Sequence, residues 1–156
     1  MNVLVTTGFE DALLDRMRAV STDLRVTRGD SKRVDYSEVD VLYGNTLPRD
    51  PARAPRLKWV QLHMAGPDSL HDHPIYTKTS VALTTTSGVH AATVAEYAIT
   101  VLLALAHRVP RMIVSPHVSG FLPNYDERCT DLFVENLRRH LAGAPLLNLV
   151  DRAAGY

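Results

Sequence analysis

Five short apolar runs, each leading into a glycine, set the rhythm of this sequence. They cover residues 2–7 before Gly8, 24–28 before Gly29, 39–43 before Gly44, 57–64 before Gly66 and 81–87 before Gly88. Runs of this length, β-branched or aromatic in character, predict strands buried on both faces of a parallel sheet. A glycine behind each strand permits a sharp exit. Between the first two runs, Phe9, Leu13, Leu14, Met17 and Val20 recur on one helical face. Pro48, Pro51 and Pro55 predict an irregular crossover after the third run, and 67–73 a single helical turn. Strands alternating with crossovers predict an α/β fold with cover on both sheet faces. Five of them suggest a flavodoxin-like three-layer sandwich, a five-stranded parallel sheet of order 2-1-3-4-5. Ligands of such sheets sit outside the carboxyl ends of the strands.

Two longer helices are expected after the fifth strand. Residues 90–108 are apolar almost all round between Tyr97 and Ala106, a pattern that predicts burial on several sides. Residues 125–142 carry a stripe of Tyr125, Cys129, Leu132, Phe133, Leu137 and Leu141. Asn124 and Glu127 have capping-box spacing, and Gly143 is placed as a C-terminal stop. With the sheet, these two helices are expected to close one domain over residues 1–156.

Composition narrows the partners. Lys plus Arg and Asp plus Glu number 17 each, so the formal net charge is zero. No bulk field exists to hold nucleic acid or a membrane surface, and neither partner is expected. Cys129 is the single cysteine, which excludes an internal disulfide and a cysteine-rich metal site. The first residues lack the basic start and long apolar stretch of a signal peptide. The most apolar segment, 91–106, is shorter than the ~20 residues that span a bilayer. A cytoplasmic protein is expected.

The candidate chemistry is sparse. No two of the eight glycines are close enough for Gly-x-Gly-x-x-Gly or a P-loop, so no dinucleotide or phosphate fingerprint is present. A phosphoacceptor would need a carboxylate where the third strand ends, but Tyr43-Gly44-Asn45 stands there. A flavin-phosphate loop is poorly approximated by Thr6, Thr7 and Gly8. His71 and His73 flank Asp72, with His63 nearby, but no third metal ligand follows at a recognisable interval and they read as loop residues. His117 lies in a stiff turn, Ser115-Pro116-His117-Val118-Ser119-Gly120, and suits a proton carrier near neutral pH as well as it suits an ordinary loop histidine.

Three segments, in order, and the ending from Asn148-Leu149-Val150-Asp151 to Gly155-Tyr156 resemble the D-isomer-specific 2-hydroxyacid dehydrogenase family. Leu57-Lys58-Trp59-Val60-Gln61-Leu62-His63-Met64-Ala65-Gly66-Pro67-Asp68 resembles its fourth strand and substrate loop. The stretch from Ser87-Gly88-Val89-His90 to Ala95-Glu96-Tyr97 resembles the entry to its long interdomain helix, and the His117 turn its catalytic-histidine turn. The resemblance implies an NAD(P)-dependent interconversion of 2-hydroxy and 2-keto acids in the parent. It implies His117 as proton donor and the backbone amides of His63, Met64, Ala65 and Gly66 as holders of the substrate carboxylate. Asn45 would face the same rim. In the family a nucleotide-binding domain lies between the long helix and the histidine turn. Here those segments meet near 109–112, so that about 150 residues, one domain's worth, are missing. This chain alone is therefore expected to be a substrate-binding domain, inactive, without a cofactor of its own. A weakly bound 2-keto or 2-hydroxy acid and a homodimer through the 90–108 helix are the expected partners. The rival expectations are a flavodoxin-like module without ligand and a small carboxylate-binding protein.

Overall fold

A computed structural model describes residues 1–30, 34–108 and 115–156. All five predicted strands form: β1 (Asn2–Val5), β2 (Arg25–Arg28), β3 (Val41–Tyr43), β4 (Trp59–Gln61) and β5 (Ala82–Thr84). They make one sheet of order β2-β1-β3-β4-β5, parallel throughout. The expected α/β topology is the observed one. The strands are shorter than the apolar runs: in β1, β4 and β5 the last residues of the run leave the ladder to form the rim, whereas β2 and β3 start one and two residues into theirs.

The alternation along the strands sorts the core into two layers. Val3, Val5, Val41, Tyr43 and Trp59 face helix α1 (Asp11–Arg18) and helix α4 (Tyr125–Leu141), from which Leu14, Met17, Phe133 and Leu137 fill the space between. Leu4, Leu42, Val60 and Leu83 face the other way. There the cover is irregular, made of two single turns (Pro51–Arg53 and Asp68–Leu70), the short helix α2 (Pro74–Lys78) and the C-terminal Val150. The prolines after the third strand thus give the crossover expected of them, and 67–73 holds the expected turn.

A buried polar chain ties α4 to the sheet. Trp59 Nε1 donates to Thr84 Oγ1 at 2.8 Å, Thr84 Oγ1 donates to Gln61 Oε1 at 2.8 Å, and Asn136 Nδ2 reaches the same Gln61 oxygen at 3.3 Å. Asn136 also brackets the tail: Leu147 N–H donates to its Oδ1 at 2.7 Å and its Nδ2 donates to Leu147 C=O at 3.1 Å.

Three expectations about the helices need correction. The buried face of α4 is Cys129, Thr130, Phe133, Val134, Asn136 and Leu137, while Leu141 is exposed and Leu132 half-buried. The polar chain, which needs Asn136 inward, turns the helix away from the purely apolar stripe. Asn124 caps α4 by position but makes no side-chain cap bond, because its ψ of 35° departs from the extended backbone that aims a capping oxygen at the helix. Gly143, at φ +66°, does end the helix as expected. The third correction concerns α3 (Ala91–Ala106). It forms where expected, but no residue of it is buried, and it does not close the sheet. Ile99, Leu102, Leu103 and Leu105 are 57%, 65%, 54% and 50% exposed. The expected junction at 109–112 lies outside the described residues. Among the described residues, no helix is long and apolar enough to cross a membrane.

Candidate functional site

The central strands β3 and β4 end side by side, and their exits are fastened to each other. Gly44 has φ +146°, a conformation side chains rarely adopt, and a Cβ there would stand 2.0 Å from Thr6 Oγ1. Only glycine lets the chain turn so close to β1. The turn delivers Asn45 to the end of β4. Its Oδ1 accepts His63 N–H at 2.8 Å and its Nδ2 donates to His63 C=O at 3.3 Å. Beyond this clamp, Met64 C=O accepts Thr86 N–H at 2.9 Å. The N–H groups of Met64, Ala65 and Gly66 make no hydrogen bond among the described residues. Successive unpaired N–H groups in a bend form a concave positive site suited to an anion. The amide of His63 is not one of them, since Asn45 already holds it.

The His63 side chain turns into an aromatic cluster. Its Nδ1 lies 3.2 Å from Tyr43 Oη and its Nε2 3.3 Å from Asp126 Oδ1. Phe9 and Tyr125 meet the ring edge-on at centroid distances of 5.3 and 5.1 Å. Burial pushes His63 below the ordinary histidine value, with Asp126 pulling the other way. Burial likewise raises the Tyr43 and Tyr125 hydroxyls and lifts the Cys129 thiol to about 11. A thiol so held is a packing group and not a nucleophile.

His117 is exposed. Its turn is closed by Val118 N–H to Pro116 C=O at 2.9 Å and Phe121 N–H to Val118 C=O at 3.0 Å. A hydrogen bond from Tyr97 Oη to Ser115 Oγ ties α3 to the start of that segment. Beside the turn opens a cavity of about 440 Å³, lined by His90, His117, Val118, Phe121, Leu122 and Tyr125 among others. Tyr125 connects the two halves of the rim. Its ring lines this cavity, its Oη lies 3.1 Å from Thr86 Oγ1, and it touches His63 on one side and His90, at 6.0 Å, on the other.

Of the residues singled out from sequence, Asn45 and 63–66 are thus gathered at one strand end. His117 makes no hydrogen bond or ring contact with them among the described residues and faces the cavity instead. His90, Tyr125 and Asp126 were missed. Tyr125 looked like the first residue of an apolar stripe, and no local pattern reveals that its helix begins beside β4. His71 and His73 serve structure: His71 Nε2 meets Gly155 C=O at 3.3 Å, and His73 Nδ1 accepts Ile75 N–H at 3.2 Å at the start of α2. Among the described residues no cluster of three or more His, Cys, Asp or Glu could hold a metal.

A dinucleotide does not fit the strand–helix turn where such cofactors place their phosphates. The turn after β1 has a single glycine, and α1 opens with Glu10 and Asp11. Two carboxylates at a helix N-terminus repel the charge of a pyrophosphate.

No protein-family model matches this sequence, and no curated protein matches it. Solved structures do. A D-isomer specific 2-hydroxyacid dehydrogenase family protein from Aeromonas salmonicida is 25% identical, with a TM-score of 0.53, over 70% of this chain and 36% of that one. Phosphoglycerate dehydrogenase from Lactobacillus plantarum is 26% identical over 69% of this chain and 36% of its own, at a TM-score of 0.46. A D-isomer specific 2-hydroxyacid dehydrogenase from Xanthobacter autotrophicus, solved in complex with NADPH and MES, covers 99% of both chains at a TM-score of 0.70 and 13% identity, a likeness of fold alone. The chain spans little more than a third of the length of the first two. Over that part, its structural neighbours are the D-isomer specific 2-hydroxyacid dehydrogenases, the family its sequence resembles.

Proposed function

We propose that this chain is the substrate-binding domain of a D-2-hydroxyacid dehydrogenase and takes the carboxylate of a 2-keto or 2-hydroxy acid on the amides of Met64, Ala65 and Gly66. The observation that carries the reading is the clamped bend after β4, which leaves those three N–H groups unpaired among the described residues, at the carboxyl end of a central strand. Asn45 acts as the clamp and His63 as the anchored first residue of the loop. His117, exposed beside the cavity, is the group that would pass a proton to the carbonyl oxygen of the substrate in the complete enzyme. The hydride must come from NAD(P)H held by a separate domain, because the turn after β1 is unfit for it. On this reading residues 1–156 form one domain joined across 109–112, and the chain alone reduces nothing.

The test is an amide NMR titration with pyruvate. Saturable shifts centred on Met64–Gly66 support the carboxylate site. Their absence would leave a flavodoxin-like module without ligand. Shifts without any NADH oxidation in the presence of 2-keto acid fit a binding domain, whereas turnover or saturable NADH binding by calorimetry would refute the inactive reading. The apolar surface of α3 supports self-association through the 90–108 helix, since large exposed apolar patches act as interfaces. Light scattering across a concentration series checks this, and a mass that stays monomeric throughout counts against it.

A further inference from the structure

The cavity beside His117 is walled by carbon. Val118, Phe121, Leu122 and the Tyr125 ring supply its apolar lining, and His90 and His117 its polar edge. Among the described residues, no lysine, arginine or carboxylate borders it. We propose that this cavity selects the side chain of the bound acid, and that the acid is a 2-keto acid with a branched-aliphatic or aromatic side chain. The proposal rests on the carboxylate reading of the Met64–Gly66 loop and specifies the substrate class of that same site.

Three observations combine. Tyr125 borders the cavity and packs against His63, the residue that begins the loop, so one ring joins the carboxylate loop to the carbon-lined space. The volume, about 440 Å³, falls within the usual 300–1,000 Å³ of small-molecule pockets and leaves room for more than a methyl group. A cavity of about 150 Å³ already holds benzene. Charge argues against the alternatives. A substrate with a phosphate or second carboxylate on its side chain would need a cation at the far end of the cavity, and the described lining supplies none. A bare glyoxylate or a hydroxymethyl group would leave the apolar wall wet. Phe121, 76% exposed, adds carbon surface at the edge of this lining.

The preference is measurable on the chain as it is. Each further buried carbon strengthens binding by about fourfold. 4-Methyl-2-oxopentanoate, with three carbons more than pyruvate, is therefore expected to bind at least about tenfold more tightly, even with the cavity partly open to water. Amide NMR titrations would be run with both acids and with 2-oxoglutarate. The expected result is a shared set of shifts at Met64–Gly66, additional shifts at Val118, Phe121 and Leu122 with the branched acid alone, and 2-oxoglutarate no tighter than pyruvate. Phe121→Ser, at a position 76% exposed, should reduce the preference for the branched acid over pyruvate severalfold. Equal affinities for the three acids, with the loop shifts intact, overturn the side-chain assignment and leave the carboxylate site standing. Absence of loop shifts with every acid overturns the carboxylate reading itself, and the substrate class with it.

Discussion

Replacing Asn136 with alanine should destabilise the fold strongly, and the cost can be worked from its contacts. Asn136 is fully buried. Its amide satisfies both backbone groups of Leu147 and one contact of Gln61 Oε1. Gln61 keeps its bond from Thr84, so the loss falls mainly on Leu147 N–H and C=O. A buried polar group left without a partner costs about 1–3 kcal/mol. Leu147 is only half-buried, and water reaches part of the site, so the lower half of that range applies to each group. The total is about 3 kcal/mol, to which the shortened side chain adds little. A domain of this size has about three times that to lose. Urea denaturation should show a midpoint lowered by about 1.5 M if the slope is about 2 kcal/mol/M. The effect should also travel. Leu147 precedes Asn148, whose side chain donates to Thr85 and Ser87 C=O, and Thr86 N–H holds Met64 C=O. Amide exchange at residues 64–66 should accelerate in Asn136→Ala. A loss under about 1 kcal/mol with unchanged exchange would refute the claim that this side chain anchors the tail and, through it, the loop.

Gly44→Ala should cost about 1–3 kcal/mol for its strained backbone alone, and more if Thr6 cannot move away; an unchanged thermal midpoint would show that the β3 exit relaxes freely. Stability should fall on mild acidification: burial is the leading cause that lowers His63, His73 and His140, so the unfolded chain takes up protons first. Their contribution is complete above the ordinary histidine value of about 6.5 and is lost as pH falls through the depressed folded values; urea midpoints at pH 7.5 and 5.5 check the sign, and a rise at the lower pH would contradict it. His117→Ala, at an exposed position, should change stability by no more than about 0.5 kcal/mol, which equilibrium denaturation can resolve; a larger loss would mean the turn has structural partners.

The sheet was legible because continuous apolar runs can satisfy themselves only in a strand covered on both faces. Order and direction followed from the crossovers. Helix α2 was not legible, although Pro74 at its start and His73 as its cap are both proper signals, because five residues are too few for a period to show. The face of α4 was misread for a different reason. Hydrophobicity favours Leu132 and Leu141 over Asn136, and only the partners Gln61, Thr84 and Leu147, contributed by distant segments, make an inward asparagine the better solution. The site divides in the same way. The loop at 63–66 and the His117 turn are local motifs and could be read as such. The Tyr43–His63–Asp126 contacts, and the place of Tyr125 between loop and cavity, arise from three elements meeting at one end of the sheet.

Helix α3 carries the remaining tension between sequence and fold. Its composition is that of a helix enclosed by protein, yet among the described residues none of it is buried. Alanine and leucine are strong helix formers, so local propensity and backbone bonding hold the helix without tertiary cover. Propensity explains why it is a helix but gives no reason for its apolar surface. Fully burying an exposed leucine or isoleucine is favourable by about 1.5–3 kcal/mol, and Ile99, Leu102, Leu103 and Leu105, exposed by 57%, 65%, 54% and 50%, each keep roughly half of that to gain. The proposed self-association, or the proposed further domain, would cover this surface. The Aeromonas salmonicida protein, of which this chain spans about a third, has protein beyond the matched part. The uncovered helix and the proposed missing domain are thus one structural question, and the behaviour of α3 in solution bears on both.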